Sequence, residues 1–415
     1  MILYGWRCFT LQTKGGSLPE VKRQNRIKIK ELIYKNAPIT RTEVAERLRL
    51  TLPTITTSVI EMLTDGILRE KEMPELDPHN PQGGRKPQYL DIAPTFAYAL
   101  GLEHGPYHTA LCITDLRGDI IKSETYPPAS QNYDEMLADT AAQIEKLMTQ
   151  SGIKKEMLLG AAVGLPGFIE SEHGVIRSSA RRGWNGKSIA SDLENILNIP
   201  VMIDNNVRLR AAGEEMFSKQ KRPDTFAYYF ISKGIACPLM ISNDVLSGKT
   251  AGAGEVGHMV IVPDGPVCPG CGNRGCLEAV AGENSIMDKC RAAMSEGKAP
   301  ILSKICSDIS AVSMKDVLEA QRENDTAICE ILHKAVYYLA IALANVINLI
   351  SPKTVIVDGY IMQNEINRNE LASMARKNLY GLNDKEVTIE FIPFSKLSGA
   401  KGAAALVVKR FFIEK

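Results

Sequence analysis

Residues 254–282 read GEVGHMVIVPDGPVCPGCGNRGCLEAVAG and contain four closely spaced metal-binding side chains, His258, Cys268, Cys271 and Cys276. One imidazole and three thiolates form a complete tetrahedral ligand set for zinc, with no position left for a water molecule. The glycines between the cysteines allow a tight knuckle of backbone. We therefore predict a structural Zn²⁺ site; the alternative is three free cysteines that lie close together by chance.

The composition is that of a globular protein in a reducing compartment. The chain has 415 residues, of which 45% are hydrophobic and 23% charged, and its nine cysteines are an odd number with six of them scattered. These values argue against disorder and against a secreted disulfide framework. No apolar run reaches about 18 residues, and residues 335–350 are expected to form a buried helix. We predict two to three domains, a cytoplasmic location and no membrane partner.

Basic residues are concentrated near the N terminus. Residues 22–49 contain nine lysines and arginines against three acids, whereas the whole chain has a net charge of +1. A basic segment on a near-neutral chain favours nucleic acid contact through one end of the molecule. The alternative is a solvated helix face.

Residues 24–66 divide into three amphipathic helical stretches, over 24–36, 40–48 and 53–66. Thr40 and Glu43 have the spacing of a capping box, and Thr51 and Pro53 suit the start of the third helix. Residues 67–92 then change to two extended stretches around a loop rich in proline and glycine. Three helices followed by a hairpin predict a winged helix-turn-helix.

The second helix of such a motif, here the third helical stretch at 53–66, enters the major groove of double-stranded DNA. The wing reaches the adjacent backbone or minor groove. The predicted DNA-binding residues are Thr42, Thr54, Thr56, Thr57, Ser58, Arg85 and Lys86. We placed Thr54, Thr56, Thr57 and Ser58 opposite the apolar stripe of their helix. A packing module without DNA and an ordinary flexible linker are the alternatives for the helices and the loop.

After Pro94, short apolar strands alternate with helices, which predicts an α/β body with ligand sites at strand ends. Residues 38–68 (PITRTEVAERLRLTLPTITTSVIEMLTDGIL) and 83–94 (GGRKPQYLDIAP) resemble the DNA-binding module of repressors in the ROK family, which comprises repressors, uncharacterised reading frames and sugar kinases. The block at 254–282 resembles the histidine and cysteine cluster of that family. It departs at the first cysteine pair, which Pro269 and Gly270 separate instead of a single residue.

The resemblance covers residues 24–415 and implies a fold class. The expected fold is α/β, an N-terminal winged helix-turn-helix followed by a two-lobed actin-like, ribonuclease H-like ATPase (ROK) fold. The expected domains are a loose tail at 1–20, a DNA-binding domain at 21–92 and a sugar-binding domain at 96–415. Lobe 1 is expected to comprise 96–213 with the C-terminal helix 397–415, and lobe 2 to comprise 214–396.

The resemblance also implies a sugar pocket. Carried over residue by residue, its members are Gly164, Pro166, Gly167, Asn205, Asn206, Glu255, His258 and Glu278. His258 would both bind the metal and lie beside the sugar. The segment SSARRGW at 178–184 departs from the family, and its Arg181 and Arg182 would favour a phosphorylated or acidic sugar unless they are surface residues.

Further departures fall on the phosphotransfer groups. Sugar kinases of the family place an aspartate, the general base, where this chain has Asn206, and an amide cannot accept the proton. The expected phosphate loops read GLEHGPYH at 101–108, SKGIACPLM at 232–240 and VDGYIM at 357–362, with few of the glycines expected there. We therefore predict no catalytic residues and no enzyme activity.

The sequence thus predicts a DNA-binding transcription regulator, a repressor of carbohydrate-use genes that responds to a sugar or sugar phosphate and assembles as a homo-oligomer, a dimer or tetramer. Two alternatives remain at this point. One is an active ROK sugar kinase with a DNA-binding domain, and the other is a repressor controlled by a protein partner.

Overall fold

The structure is a computed structural model that describes residues 18–71, 88–179, 181–246, 252–381 and 386–415. The chain forms two compact units. The first unit contains the chain up to Ala97 together with Val408–Lys415, and the second unit contains Tyr98–Val407. Residues 408–415, which we predicted to belong with lobe 1, therefore group with the N-terminal unit.

The first unit is a three-helix module with a small antiparallel sheet. Its strands lie in the order β1-β3-β2. The elements are α1 (Leu18–Asn36), β1 (Ile39–Thr40), α2 (Arg41–Leu48), α3 (Leu52–Thr64), β2 (Leu68–Lys71) and β3 (Tyr89–Ile92). Ile29, Val44, Ile55 and Leu90 are fully buried and join the helices to the sheet. Helix α1 begins at Leu18, so the predicted tail at 1–20 overlaps its first turn.

Side-chain caps fix the connections between these helices. The Thr40 hydroxyl accepts a hydrogen bond from the Glu43 N–H (3.2 Å), and the Thr40 N–H donates to the Glu43 carboxylate (2.8 Å). The Thr51 hydroxyl accepts from the Thr54 N–H at the start of α3. Each such cap contributes about 1 kcal/mol to stability. Both α2 and α3 are therefore capped at their N-terminal ends.

The end of the chain completes the core of the first unit. Residues Val408–Ile413 form a π-helical turn. The Phe412 side chain is buried, its ring centroid lies 6.2 Å from that of Phe96, and Lys30 Nζ lies 4.9 Å from the Phe412 centroid. Burial lowers the pKa of Lys30 to about 8. The buried ring explains why residues 408–415 belong to this unit.

The second unit contains two mixed sheets. The first has the strand order β10-β7-β4-β5-β6, and a separate hairpin joins β8 to β9. Its elements are β4 (Tyr98–His104), β5 (Thr109–Asp115), β6 (Ile120–Tyr126), α4 (Tyr133–Ser151), β7 (Leu158–Leu165), β8 (Phe168–Glu170), β9 (Val175–Ser178), α5 (Ile189–Leu197), β10 (Val201–Asn205) and α6 (Asn206–Phe217). Strands β4, β7 and β10 run parallel, so their C-terminal ends meet at one edge.

The second sheet has the order β14-β13-β11-β15-β16, with β12 paired to β11. Its strands are β11 (Phe226–Ile231), β12 (Ile235–Ala236), β13 (Leu239–Ile241), β14 (Asp244–Val245), β15 (Thr354–Gly359) and β16 (Thr388–Phe391). Its helices are α7 (Leu277–Ala281), α8 (Glu283–Ser295), α9 (Pro300–Ile305), α10 (Met314–Arg322), α11 (Thr326–Ile350) and α12 (Glu365–Lys377). Most of these helices share one hydrophobic core with β11 and β15.

Helix α13 (Ser398–Val407) packs against α6 and the first sheet. Close approach is possible because glycines lie at the contacts. A Cβ atom on Gly101 would lie 1.9 Å from the Ala400 carbonyl oxygen, and one on Gly213 would lie 2.8 Å from Gly402 Cα. Larger residues at these positions would force the helices apart.

Helix α11 is, within the part of the chain that the structure describes, the one helix long and apolar enough to cross a membrane by length and composition. Half of its most apolar window is buried inside the molecule. Leu332, Leu339 and Leu343 are fully buried in the core of the second sheet. The helix includes the predicted buried segment 335–350, and its contacts are those of a core helix.

Candidate functional site

The exposed side of the helix-turn-helix carries the predicted DNA-contacting threonines. Thr42 and Thr57 are exposed, and Thr54 and Thr56 are partly exposed. Ile60, also on α3, is 54% exposed although it is apolar. This face therefore offers short hydroxyls and one methyl-rich side chain, the groups that read base edges in a major groove.

One predicted DNA contact is wrong. Ser58 is 5% exposed and belongs to the inward face of α3, together with Ile55, Val59 and Met62. The reason is the helical period, because positions 55, 58, 59 and 62 lie on one face of the helix. The predicted wing residues Arg85 and Lys86 lie outside the described residues.

The predicted metal ligands come together in the second unit. One ligand atom from each of His258, Cys268, Cys271 and Cys276 lies within 4.8 Å of the others. The Sγ atoms of Cys271 and Cys276 are 3.5 Å apart, and Cys268 Sγ is 3.7 Å from His258 Nδ1. A backbone N–H of Asn273 lowers the pKa of Cys271, which favours the metal-binding thiolate.

These separations fit a tetrahedral ion. Zinc–sulfur bonds of about 2.3 Å and zinc–nitrogen bonds of about 2.0–2.1 Å place neighbouring ligand atoms roughly 3.5–3.8 Å apart. Cys268 and Cys276 are fully buried, so the cluster is closed to solvent on one side. We call these four residues the metal cluster, because their geometry would allow them to hold a metal ion; Nδ1 of the imidazole faces the cysteines.

The turn after β7 is held by Asn205. Its side-chain oxygen accepts hydrogen bonds from the N–H groups of Val207 (2.9 Å) and Arg208 (3.3 Å), and its amide nitrogen donates to the Gly167 carbonyl (3.0 Å). Gly167 has φ +106°, and a Cβ atom there would lie 2.4 Å from the Ser178 carbonyl oxygen. Asn205 thus caps α6 and positions the turn of Gly164, Pro166 and Gly167.

Asn206 is the first residue of α6 and is 9% exposed. A Cβ atom on Gly164 would lie 3.4 Å from its Cα, which places Asn206 against the start of the same turn. Its amide makes no hydrogen bond to any other residue that the structure describes. The group predicted to stand at the position of the kinase base is therefore a neutral amide without a partner among the described residues.

Two carboxylates lie near the metal cluster. Burial raises the pKa of both Glu255 and Glu278, while the charge of His258 acts in the opposite direction. A Cβ atom on Gly270 would lie 3.2 Å from His258 Cε1 and 3.4 Å from Glu278 Oε1, so the cysteine loop touches both residues. Partly buried carboxylates are acceptors for sugar hydroxyls.

Two of the three segments predicted to have lost their phosphate-binding glycines, 101–108 and 232–240, meet through Glu283 and Lys233. The Tyr107 hydroxyl, between β4 and β5, donates to Glu283 Oε2 (2.6 Å), and the Ser232 hydroxyl, after β11, donates to the same oxygen (3.1 Å). Lys233 Nζ lies 4.3 Å from the centroid of the Tyr107 ring. We call Tyr107, Ser232, Lys233 and Glu283 the tyrosine clamp. It joins the first sheet to the second.

A buried arginine makes a second link between the sheets. Arg210 on α6 donates to both carboxylate oxygens of Glu103 on β4 (3.0 and 2.8 Å) and to Asp358 on β15 (3.2 Å). The Tyr228 hydroxyl also donates to Asp358 (2.7 Å). Burial raises the pKa of Asp358, and Arg210 opposes that shift. All four residues are buried.

Sequence reasoning missed Tyr107, Glu283, Arg210 and Asp358. Arginines usually lie at the surface, and α6 also contains two glutamates, yet both Arg208 and Arg210 are buried. A glutamate at the first position of α8 is likewise ordinary at a helix N terminus.

The described residues define a helix-turn-helix protein, in which a three-helix module with a small antiparallel sheet is followed along the chain by an α/β unit with two mixed sheets. The sequence pattern of the ROK family matches residues 99–410, and the chain belongs to the ROK family. The predicted family and fold are confirmed.

The relatives include regulators and kinases. The chain is 27% identical over 395 residues to the xylose repressor of Bacillus subtilis, covering 94% of this chain and 96% of that protein. It is 25% identical over 261 residues to a glucokinase of Halalkalibacterium halodurans, covering 63% and 79%. A crystal structure of a ROK family transcriptional regulator, a homologue of the E. coli MLC protein, aligns with a TM-score of 0.80 at 22% identity, covering 95% and 97%.

Proposed function

We propose that this protein is a sequence-specific DNA-binding regulator, a repressor of carbohydrate-use genes, that responds to a bound sugar or sugar phosphate without phosphorylating it. Support comes from the named repressor relatives, which match it along nearly the whole chain, including the helix-turn-helix. The glucokinase relative matches only 63% of the chain.

One observation carries the non-catalytic part of the proposal. Asn206 occupies the position of the kinase base, and its amide can hydrogen bond a hydroxyl but cannot remove its proton. On the phosphate side, Glu283 places a carboxylate beside Tyr107, where a phosphate would be repelled. An effector bound here would be sensed rather than consumed.

The proposed contacts combine the residues predicted from the sequence with the positions described above. The DNA-binding residues are Thr42, Thr54, Thr56 and Thr57, with Arg85 and Lys86 from the wing. The sugar-binding residues are Gly164, Pro166, Gly167, Asn206, Glu255, His258 and Glu278, with Asn205 as the residue that positions the turn. We propose homo-oligomers that bind half-sites about one helical turn, or a multiple of it, apart.

The metal cluster is proposed to hold structural Zn²⁺ in a cytoplasmic protein. His258, Cys268, Cys271 and Cys276 would supply all four ligands, and the ion would fix the imidazole against Glu278. The chemistry it supplies is structural, because no ligand position remains for water or substrate. The reducing cytoplasm suits thiolates that are not paired in disulfides.

Control of DNA affinity is proposed to be a population shift. The sugar would favour one arrangement of the two sheets of the second unit, and that arrangement would bind the operator less tightly. Such coupling requires the sugar to bind the two states with different affinities.

Operator binding with and without sugar tests the function. Duplexes selected from a random pool by the purified protein would be titrated at fixed salt in the presence of D-xylose, D-glucose, N-acetylglucosamine or their phosphates. We expect at least one compound to change the affinity about fivefold or more. Failure to select any duplex, or an affinity that no compound changes, would contradict the proposal.

The glucokinase relative makes a DNA-binding sugar kinase the second candidate. A coupled assay for ADP release with the same sugars distinguishes the two. Turnover at a rate of about 1 per second or more, typical of enzymes, would favour the kinase. A regulator controlled only by a protein partner would show neither turnover nor sugar binding by calorimetry.

A further inference from the structure

The loop after β9 contains two buried N–H donors that have no partner. Nε1 of Trp184 and Nη1 of Arg181 are both inaccessible to solvent and make no hydrogen bond within the described residues. The guanidinium carbon of Arg181 lies 4.3 Å from the centroid of the Trp184 ring, so the two side chains are in contact. Trp184 itself is fully buried. Buried donors of this kind normally have an acceptor.

This loop lies against the proposed sugar pocket. A Cβ atom on Gly167 would lie 2.4 Å from the Ser178 carbonyl oxygen and 3.1 Å from Ser179 Cα. The backbone N–H of Arg181 donates to the Ser179 hydroxyl, and the backbone N–H of Trp184 donates to the Arg181 carbonyl. A short chain of contacts therefore connects the two free donors to the turn that Asn205 holds.

The local charge favours an anion over a neutral acceptor. No ion pair joins Arg181 to any carboxylate that the structure describes, although its Nη1 is inaccessible to solvent. Partial burial also lowers the pKa of Arg181. The nearby ring of His104 adds no second positive charge beside Arg181. It is fully buried, its pKa is lowered to about 3, and its nitrogens contact the hydroxyls of Thr109 and Thr140.

We propose that the effector is an anionic sugar, bearing a carboxylate or a phosphate, and that Arg181 and Trp184 bind the anionic group. This inference rests on the proposed function and narrows its ligand class. A neutral sugar hydroxyl could accept from Trp184, but it would leave the guanidinium without a counter-charge. A carboxylate or phosphate oxygen satisfies both donors and the charge.

Calorimetry with matched pairs of ligands tests the inference on the full-length protein. The probes are D-glucose, D-glucuronate and glucose 6-phosphate, with D-galactose, D-galacturonate and galactose 6-phosphate, and N-acetylglucosamine with its 6-phosphate. We expect at least one anionic probe to bind about tenfold or more tighter than its neutral counterpart. The two anionic arms distinguish carboxylate from phosphate.

Three substitutions locate the effect. Arg181→Met should remove the preference for the anion while leaving the affinity for the neutral partner within about twofold, and Arg181→Lys should retain part of it. Arg177→Met removes the same charge from an exposed residue on β9 and should change nothing. Raising the salt concentration should weaken the preference only slightly, because salt screens buried charges much less than exposed ones.

Fluorescence provides a readout that does not depend on regulation. The chain has two tryptophans, Trp6 and Trp184, so a Trp6→Phe variant reports on Trp184 alone. Saturating anionic probe should shift or quench its emission, and inorganic phosphate should compete. Neutral sugars that bind as tightly as anionic ones, or an Arg181→Met variant that keeps the preference, would overturn the inference. If no sugar of either kind binds, the proposed function itself fails.

Discussion

Two adjacent asparagines have different roles in this molecule. Asn205 uses both ends of its amide to cap α6 and to hold Gly167, whereas the Asn206 amide is free of partners within the described chain. Asn205 is needed for the shape of the turn, whereas Asn206 stands at the position predicted for the general base of the kinases. The residue type alone does not distinguish them.

Restoring the aspartate at position 206 should not by itself restore a kinase. Asn206→Asp supplies a proton acceptor, but the tyrosine clamp still places the Glu283 carboxylate on the phosphate side. We expect ADP release to remain within about threefold of the unsubstituted protein. Measurable turnover in the coupled assay would show that the clamp does not block phosphate.

Loss of one thiolate should release the metal. Cys271→Ser leaves three ligands, and we expect the zinc content of the purified protein, measured by atomic emission, to fall from near one ion per chain to less than about 0.2. Sugar affinity should also decrease, because the ion would no longer fix His258 beside Glu278. Cys329→Ser removes a half-buried thiol outside the cluster and is the matched control. Equal zinc contents in the two variants would contradict the assignment.

At the scale of elements, local signals predicted some features well. The capping box of Thr40 and Glu43 was predicted from spacing alone and is present in the structure. It was predictable because all its atoms lie within four residues. The position of Ser58 was mispredicted, because a small polar residue carries little information about which face of a helix is buried.

The C-terminal turn should be essential to the first unit. Phe412→Ala removes a ring buried against Phe96, and a substitution of this kind costs about 3–5 kcal/mol. We expect the free energy of unfolding of the first unit, measured in urea, to decrease by that amount. The neighbouring Phe411→Ala, at a half-buried ring, should cost less than about half as much. Equal effects would mean that the turn is not part of this core.

Lys30 gives this unit a pH dependence of known sign. Burial lowers its pKa from 10.5 to about 8, so between these values the unfolded chain binds the proton and the folded chain does not. Stability should therefore increase as the pH rises from about 8 towards 10.5. Because the Lys30 ammonium group is not completely removed from solvent, we expect the free energy of unfolding to increase by about 1 kcal/mol.

Urea titrations at pH 7.5 and pH 10 measure this difference. Lys30→Met should be more stable than the unsubstituted protein at pH 7.5 and should lose this part of the pH dependence. Lys28→Met removes a charge from an exposed position on α1 and should change neither the stability at pH 7.5 nor the pH dependence. An unchanged pH profile in the Lys30 variant would contradict the assignment.

At the scale of the whole molecule, the two sheets are connected through Arg210. Arg210→Met leaves the carboxylates of Glu103 and Asp358 buried without their cation, and breaking such a pair costs about 3–5 kcal/mol. We expect the second unit to unfold in correspondingly less urea. Adding Glu103→Gln and Asp358→Asn should recover most of the loss. If the triple variant is as unstable as the single one, packing rather than charge explains the effect.

The architecture of the second unit was predictable, but its internal links were not. Alternating strands and helices, together with the cysteine spacing, predicted the fold and the metal cluster, since each signal is contained in a short segment. Tyr107 and Glu283 are 176 residues apart, and Arg210 and Asp358 are 148 apart. No periodicity links side chains across such distances, so these pairs required the three-dimensional structure.

The burial of Phe412 sets an order of events during synthesis. The helix-turn-helix is synthesised early, but its core stays incomplete until residues 408–413 have emerged, after the whole of Tyr98–Val407. A polypeptide that stops before Val408 therefore lacks the ring that fills this core. We expect the operator binding proposed above only from molecules in which the second unit has already been made.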